Sequence, residues 1–433
     1  MINVKDFIDS NERLDTLAFQ KAIDLGSSRG GECVYVPFGE YKLSTVVLKD
    51  NTNLVFEDGV KIVSADKFSD FLPDEPVTFK RYQDHSHSSY TCAMFYADGV
   101  KNVSIKGGAT IDMCAMWNPE NDRSPFGDGY HRGVKTIALK HVDNLRIEGL
   151  TIIRATDISV LLGACRDVFI SKMYIHSHVD GISPDGCEDV VISDCIIKTG
   201  DDALVFKTSL FDNVKHDCQR ITVNNCVVSS RANAIKFGTE SVGDFKYFNI
   251  SNCVVLNTEH SGLAIESADG ANIYGINVSN ITMCNVANPI FIYTCERLRA
   301  PEGTPQGEIR DINISNIYAD VHDKPFQSID SWFPDIKEGS DIGVNKSYPC
   351  MVYSTSAEKK IKNVSLNNIN IKVLGGGKLT DEVRYAATTR YPECSNFRLP
   401  CYGMYIKNAE NLKINGLTFE TVYPDERVEI IEE

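Results

Sequence analysis

Short alternating runs of apolar and polar residues recur along the chain. NVSIKGGATI, NLRIEGLTII, DVFISKMYI, DVVISDCIIKTG, RITVNNCVVSS, YFNISNCVVLN, GINVSNITMCN, DINISNIYAD, NVSLNNINIKV and NLKINGLTFET share one design. Each alternates for a few residues, passes a polar or glycine turn, and alternates again. Period-two alternation predicts strands with one buried face. The units recur irregularly, about every 20 to 30 residues, inside the range of stacked repeats. One such unit cannot bury its own apolar face, so the next coil must cover it. The predicted architecture is all-β, a parallel β-solenoid, with residues 1–433 forming a single domain. A β-propeller would need about four strands per 40 to 50 residues at a regular period; these units are shorter and less regular. Helical spacing is confined to about Thr16 to Leu25, TLAFQKAIDL, which predicts one amphipathic helix capping the N-terminal end of the core.

Asparagine recurs at the turns, as Asn225, Asn252, Asn280, Asn316 and Asn368. Asn tolerates left-handed backbone and hydrogen-bonds through its side chain, so stacked turns predict a ladder. Three stretches depart from the repeat: 66–95 with Pro73, Pro76 and DHSHSSY, 320–350 with Trp332 and Pro334, and 374–402. They read as long loops projecting beside a binding face.

Each turn is followed by another short strand: DGIS, DDALVFKTS, NAIKFGTES, SGLAIES and NPIFIYT, beginning at Asp180, Asp201, Asn233, Ser261 and Asn288. In register, Leu204, Ile235, Leu263 and Ile290 stack inward, as do Phe206, Phe237, Ile265 and Ile292. Alternation sends Val205, Lys207, Lys236, Gly238, Ala264, Glu266, Phe291 and Tyr293 outward. Coils lie about 4.8 Å apart, so Asp180 is expected one coil from the adjacent pair Asp201 and Asp202. A lone Asp-Asp after glycine reads as a solvated turn; a third carboxylate in register, beside lysines, changes that reading.

The formal net charge of −15 disfavours nucleic acid as a partner. The 14 cysteines show no metal-type CxxC pairs. Cys187, Cys195, Cys218, Cys226 and Cys253 recur in one local frame, which predicts small apolar residues stacked in a reduced core rather than disulfides. No membrane span and no secretory leader are apparent, so a cytoplasmic protein or a mature secreted form is expected.

Clustered carboxylates suit glycosidic cleavage. One protonated acid serves the leaving oxygen, and a carboxylate across the bond activates water. Mutual repulsion favours keeping one proton on such a cluster. A metal site is the other use of clustered aspartates, but nothing resembles a calcium loop; no cofactor or metal is expected.

Two segments resemble glycoside hydrolase family 28, the polygalacturonase-like, pectin-degrading enzymes. GGATIDMCAMW is similar to the family's G-x-G-T-I-D-G-x-G-x-x-W, and DGISPDGCEDVVISDCIIKTGDDALVFKTS to its N-T-D-G-I-D-P-D … G-D-D-C-I-A-I-K-S. The N-terminal DTLAFQKAIDLGSSRGGECVYVPFGEYKL also resembles the family's opening coils. The resemblance implies a right-handed parallel β-helix and hydrolysis with inversion. It places Asp201 as general acid, Asp180 and Asp202 as the residues that activate water, and Lys207 at the lysine after I-A-I. His178 and Val179 replace Asn and Thr of the first motif. The family's G-H-G aligns with Ala232-Asn233-Ala234, so Asn233 stands where a histidine supports the acid. Its R-I-K aligns with Ala264-Ile265-Glu266, removing two cations for a galacturonate carboxylate. Either the +1 sugar is neutral, or Lys236 supplies the displaced charge.

Glu240, Glu266, His260 and Tyr293 complete the expected substrate-binding set. The two glutamates read equally as hydroxyl ligands or solvated edge charges, and Tyr293 equally as a stacking platform for a sugar or as groove lining. His176 and His178 read as structural histidines beside the site. Arg297 reads as a structural or a subsite cation. The partner implied is an oligo- or polysaccharide, with exo or short-oligomer action suggested by the long inserts. A β-helix lyase or epimerase, or a non-catalytic glycan-binding solenoid, are the alternatives.

Overall fold

The structure is a computed structural model and describes residues 1–76, 78–117, 133–321, 349–383, 391–392 and 398–433. Trp332 and Pro334, and most of the 320–350 loop, lie outside these residues. The chain divides into two compact units, Met1–Thr199 with Leu210–His216, and Gly200–Ser209 with Asp217–Glu433. Both are stacks of parallel strands, as the repeat predicts.

In the first unit the stacking is strictly in register. Val103, Leu145, Val168 and Val190 succeed one another across coils, and Ile105, Ile147, Ile170 and Ile192 form the neighbouring column. All eight are buried. Each such side chain contributes about 1.5–3 kcal/mol by leaving water, and the next coil supplies the cover that its own coil lacks. The helix spans Thr16–Ser28 and buries Ala18, Phe19, Ala22 and Ile23, the face its periodicity marks. Among the described residues no helix is long and apolar enough to cross a membrane.

The 66–95 segment corrects one expectation. It does not simply project. Ser88, Ser89, Tyr90 and Cys92 are buried, and Tyr90 packs on Phe211 with ring centroids 5.3 Å apart. The polar letters of DHSHSSY hide a segment folded back onto its unit.

In the second unit Leu204, Ile235, Leu263 and Ile290 align, as do Phe206, Phe237, Ile265 and Ile292. Phe237 meets Phe248 edge to face at 4.7 Å. The turn asparagines Asn225, Asn252, Asn280, Asn316 and Asn368 all have φ between 53° and 57°. Asn280 donates to Asn252 at 3.1 Å, Asn316 to Asn280 at 3.0 Å, and Asn368 to Asn316 at 2.8 Å. The thirteen cysteines among the described residues are free thiols, and the five of the recurring frame are buried. Burial pushes the Cys350 thiol up to about 12.

Candidate active site

The strand Leu204–Thr208 pairs with Ile235–Ser241, and the register slips between Phe206 and Thr208. Phe206 faces Phe237 while Thr208 faces Ser241, so Lys207 alone opposes Gly238, Thr239 and Glu240. This bulge carries Glu240 to Lys207, whose Nζ lies 2.5 Å from its Oε2. Simple alternation, which sets Lys207 beside Gly238, misses it. Gly238 has φ +90, and a Cβ there would sit 2.7 Å from the carbonyl of Glu266, so the close approach of the two coils requires glycine.

At the start of the same strands, Asp202 is held on three sides. Its Oδ1 accepts from the backbone N–H of Asn233 at 3.0 Å and from Asn233 Nδ2 at 2.8 Å. Its Oδ2 is 3.2 Å from Lys236 Nζ. Asn233 is oriented in turn, because its Oδ1 accepts from Ser261 N–H at 3.1 Å. An asparagine at this place therefore fixes Asp202, the neighbour of the residue read as the acid. Asp201 is partly exposed; its Oδ1 accepts from the N–H of Asp202 at 3.1 Å, and its carbonyl accepts from Ser230 Oγ at 2.6 Å.

The outward positions are not solvated. Lys207, Lys236, Glu240 and Glu266 are 5%, 3%, 2% and 0% exposed, which overturns the solvated-edge reading of the two glutamates. Their charges require internal partners. Glu240 also lies 3.7 Å from Arg299 Nη1. Arg297 resolves as structural. It is buried and binds Asp269 through Nε at 2.9 Å and through Nη2. Burial works against its charge, but Asp269 prevails and holds the guanidinium pKa above its ordinary value.

Tyr293 is also corrected. Its ring is 2% exposed and stacks on Phe291 and Tyr353, at 5.2 Å in each case. Both ring neighbours come from the protein, so it is not a platform for sugar. Burial raises its hydroxyl pKa. His260 is buried and its N–H donates to the carbonyl of Ala232 at 3.0 Å, which sets it beside Asn233 rather than in open solvent. Neighbouring Glu259 has a raised pKa through burial, with Arg231 3.3 Å away opposing that shift.

Asp180 belongs to the first unit. It is 4% exposed, its Oδ2 lies 3.6 Å from His87 Nε2, and its carbonyl accepts from Ser159 N–H at 2.9 Å. His178 packs edge to face on Trp117 at 4.9 Å, and His176 is buried. Sequence reasoning missed His87, Asp269 and Arg299. His87 was hidden in the polar run of the folded-back segment. Asp269 and Arg299 lie beyond strand ends, where no periodicity speaks.

The family model for glycosyl hydrolases family 28 matches residues 30–331. A probable polygalacturonase of Vitis vinifera is 25% identical over 293 residues, covering 64% of this chain and 59% of the relative. One from Arabidopsis thaliana is 22% identical over 307 residues, covering 67% and 62%. The chain thus spans about three fifths of the length of these two curated relatives. The solved exopolygalacturonase of Thermotoga maritima aligns with 98% of this chain and 94% of its own at 19% identity and a TM-score of 0.66. The family 28 exopolygalacturonase of Yersinia enterocolitica aligns with 99% and 78% at 16% identity and a TM-score of 0.68. These alignments establish the parallel β-helix fold.

Proposed function

The chain belongs to glycosyl hydrolases family 28, and from that premise we propose that it hydrolyses glycosidic bonds of pectic or related plant glycans with inversion. Asp201 gives its proton to the leaving oxygen as the bond to the anomeric carbon breaks. Asp180 and Asp202 take a proton from the water that attacks the opposite face. The observation that carries the reading is the grip on Asp202: three contacts from Asn233 and Lys236 hold its carboxyl group in place next to Asp201.

The same contacts bear on specificity. A galacturonate at the +1 position needs a cation facing it. Lys236 is engaged by Asp202, Lys207 by Glu240, and Arg297 by Asp269. Glu266 stands where the family motif has its second cation. With these three cations of the described residues engaged and Glu266 opposing a carboxylate, the contacts support a neutral +1 sugar, such as rhamnose or another pectin side-chain sugar. Exo action, or action on short oligomers, rests on the long inserts in the sequence.

Proton NMR of the first product from a panel of defined pectic oligosaccharides tests the proposal. Inverted anomeric configuration is expected, with faster turnover when +1 is neutral. Retained configuration, or an unsaturated product absorbing in the ultraviolet, overturns hydrolysis with inversion. Asp201→Asn should lower turnover by about 10²–10⁴-fold while leaving oligosaccharide binding intact. A wild-type chain that binds glycans but turns over none is the non-catalytic solenoid.

A further inference from the structure

The first unit carries a second group of convergent ligands, made by His141, Asp212 and His216. His141 follows the strand Lys135–Lys140, while Asp212 and His216 lie in the Leu210–His216 segment. His141 Nε2 is 3.0 Å from Asp212 Oδ2, and His216 Nε2 is 2.8 Å from the same oxygen. The three ligand atoms all lie within 4.8 Å of one another. Their side chains are 36%, 17% and 24% exposed, so a hydrated ion can reach them.

Each ligand is also held in a pose suited to a metal. His141 Nδ1 lies 2.8 Å from Asp98 Oδ1. When an ion replaces the proton shared by Nε2 and Asp212, the Nδ1–H held by Asp98 becomes the carboxylate–histidine support usual behind metal-bound imidazole. Lys140, 3.5 Å from Asp98 Oδ2, balances that carboxylate. Asp212 Oδ1 accepts from Val214 N–H at 2.9 Å, leaving Oδ2 for the site. Phe211 stacks on His216 at 5.5 Å and 19°. Gly186 makes room for His216, since a Cβ there would come within 2.4 Å of the histidine Cβ.

We propose that His141, Asp212 and His216 bind one divalent transition-metal ion of the zinc type, with water as fourth ligand. Two imidazoles and a carboxylate suit zinc, and bonds of about 2.0–2.2 Å in a tetrahedron place ligand atoms roughly 3.3 Å apart. The two contacts at Asp212 need open by only a few tenths of an ångström. The ion ties the Leu210–His216 segment to the turn at His141, so the melting temperature rises with metal concentration. The competing description is a plain ion-pair network between histidines and aspartates.

Titration of the metal-stripped full chain with Co²⁺, read by visible absorption, decides between them. One equivalent should bind with the d–d bands of a tetrahedral nitrogen–oxygen site, and Zn²⁺ should displace it. His216→Gln keeps a donor toward Asp212 but should abolish the bands. Asp98→Asn should weaken cobalt binding about 10–100-fold. The proposal fails if the wild type binds no cobalt, if the bands persist in His216→Gln, or if an intense near-ultraviolet thiolate band places the metal on cysteine. Should His216→Gln lack the native circular dichroism, unchanged affinity in Asp98→Asn is the overturning result.

Discussion

Two rows of side chains in the second unit obey one stacking rule and end in opposite electrostatic regimes. Asn252, Asn280, Asn316 and Asn368 stand at exposed turns and bond side chain to side chain from coil to coil. Asp202 with Lys236, and Lys207 with Glu240, stand on an adjoining strand face and also meet across coils, but they are buried and charged. The exposed ladder uses neutral amides, for which water is always an alternative partner. In the buried row every charge needs a countercharge, because water is excluded. The lesson is that register alone sets which side chains meet, whereas burial sets what a meeting is worth. It also explains why the second row has a fixed geometry: Asn233 and Lys236 hold the carboxyl group of Asp202 in one position.

The sharpest way to break the comparison is to neutralise the buried row at its centre. Asp202→Asn should reduce hydrolysis by about 10²–10⁴-fold, the range for loss of an acid–base group, measured as initial rate on the best oligosaccharide of the panel. A variant as active as wild type would reduce this row to a structural feature. Next in size, Asp269→Ala leaves Arg297 buried without its bidentate partner. A loss of about 3–5 kcal/mol is expected in urea unfolding, and a loss below 1 kcal/mol would show that the pair is not sealed from water.

Asp425 sharpens the contrast through pH. Burial opposes its charge, but Arg427 and the N–H groups of Arg427 and Gly377 win, and its pKa is lowered. A lowered carboxylate pKa contributes stability that is present above the unfolded value of about 3.9 and lost as pH falls through the folded value. Asp425→Asn should therefore be less stable than wild type by about 1.5–3 kcal/mol at neutral pH, and the gap should close below about pH 4. A gap independent of pH would remove the charge from the explanation.

The smallest effects belong to the exposed ladder. Asn280→Gly keeps the left-handed turn and loses only the two amide bonds, about 0.5–1.5 kcal/mol. Asn280→Ala should cost about 1–2 kcal/mol more, because alanine resists the φ of 57°. Equal losses in the two variants would mean that backbone conformation is not what selects asparagine there.

Much of this was legible in the residues. The columns Leu204–Ile235–Leu263–Ile290 and Phe206–Phe237–Ile265–Ile292 follow from alternation, since a one-residue slip would expose an entire column. The helix and the asparagine ladder follow as directly, each from a local pattern with a local cause. The bulge opposite Lys207 did not, because two extra residues in one strand leave no mark on composition. Tyr293 reads as a sugar platform until Phe291 and Tyr353 occupy its faces. The cations Arg297 and Arg299 lie past the end of a strand, where side-chain direction no longer follows from position.

The sequence by itself determined the repeat, the register of the inward columns and the family to which the chain belongs. These depend on short-range periodicity and on motifs contiguous in the chain. Only the tertiary structure decided that the outward charges are buried, that Asn233 and Lys236 both grip Asp202, and that His141 meets Asp212 and His216. Such pairings join residues tens of positions apart in the chain, and neither side-chain periodicity nor a contiguous motif specifies them.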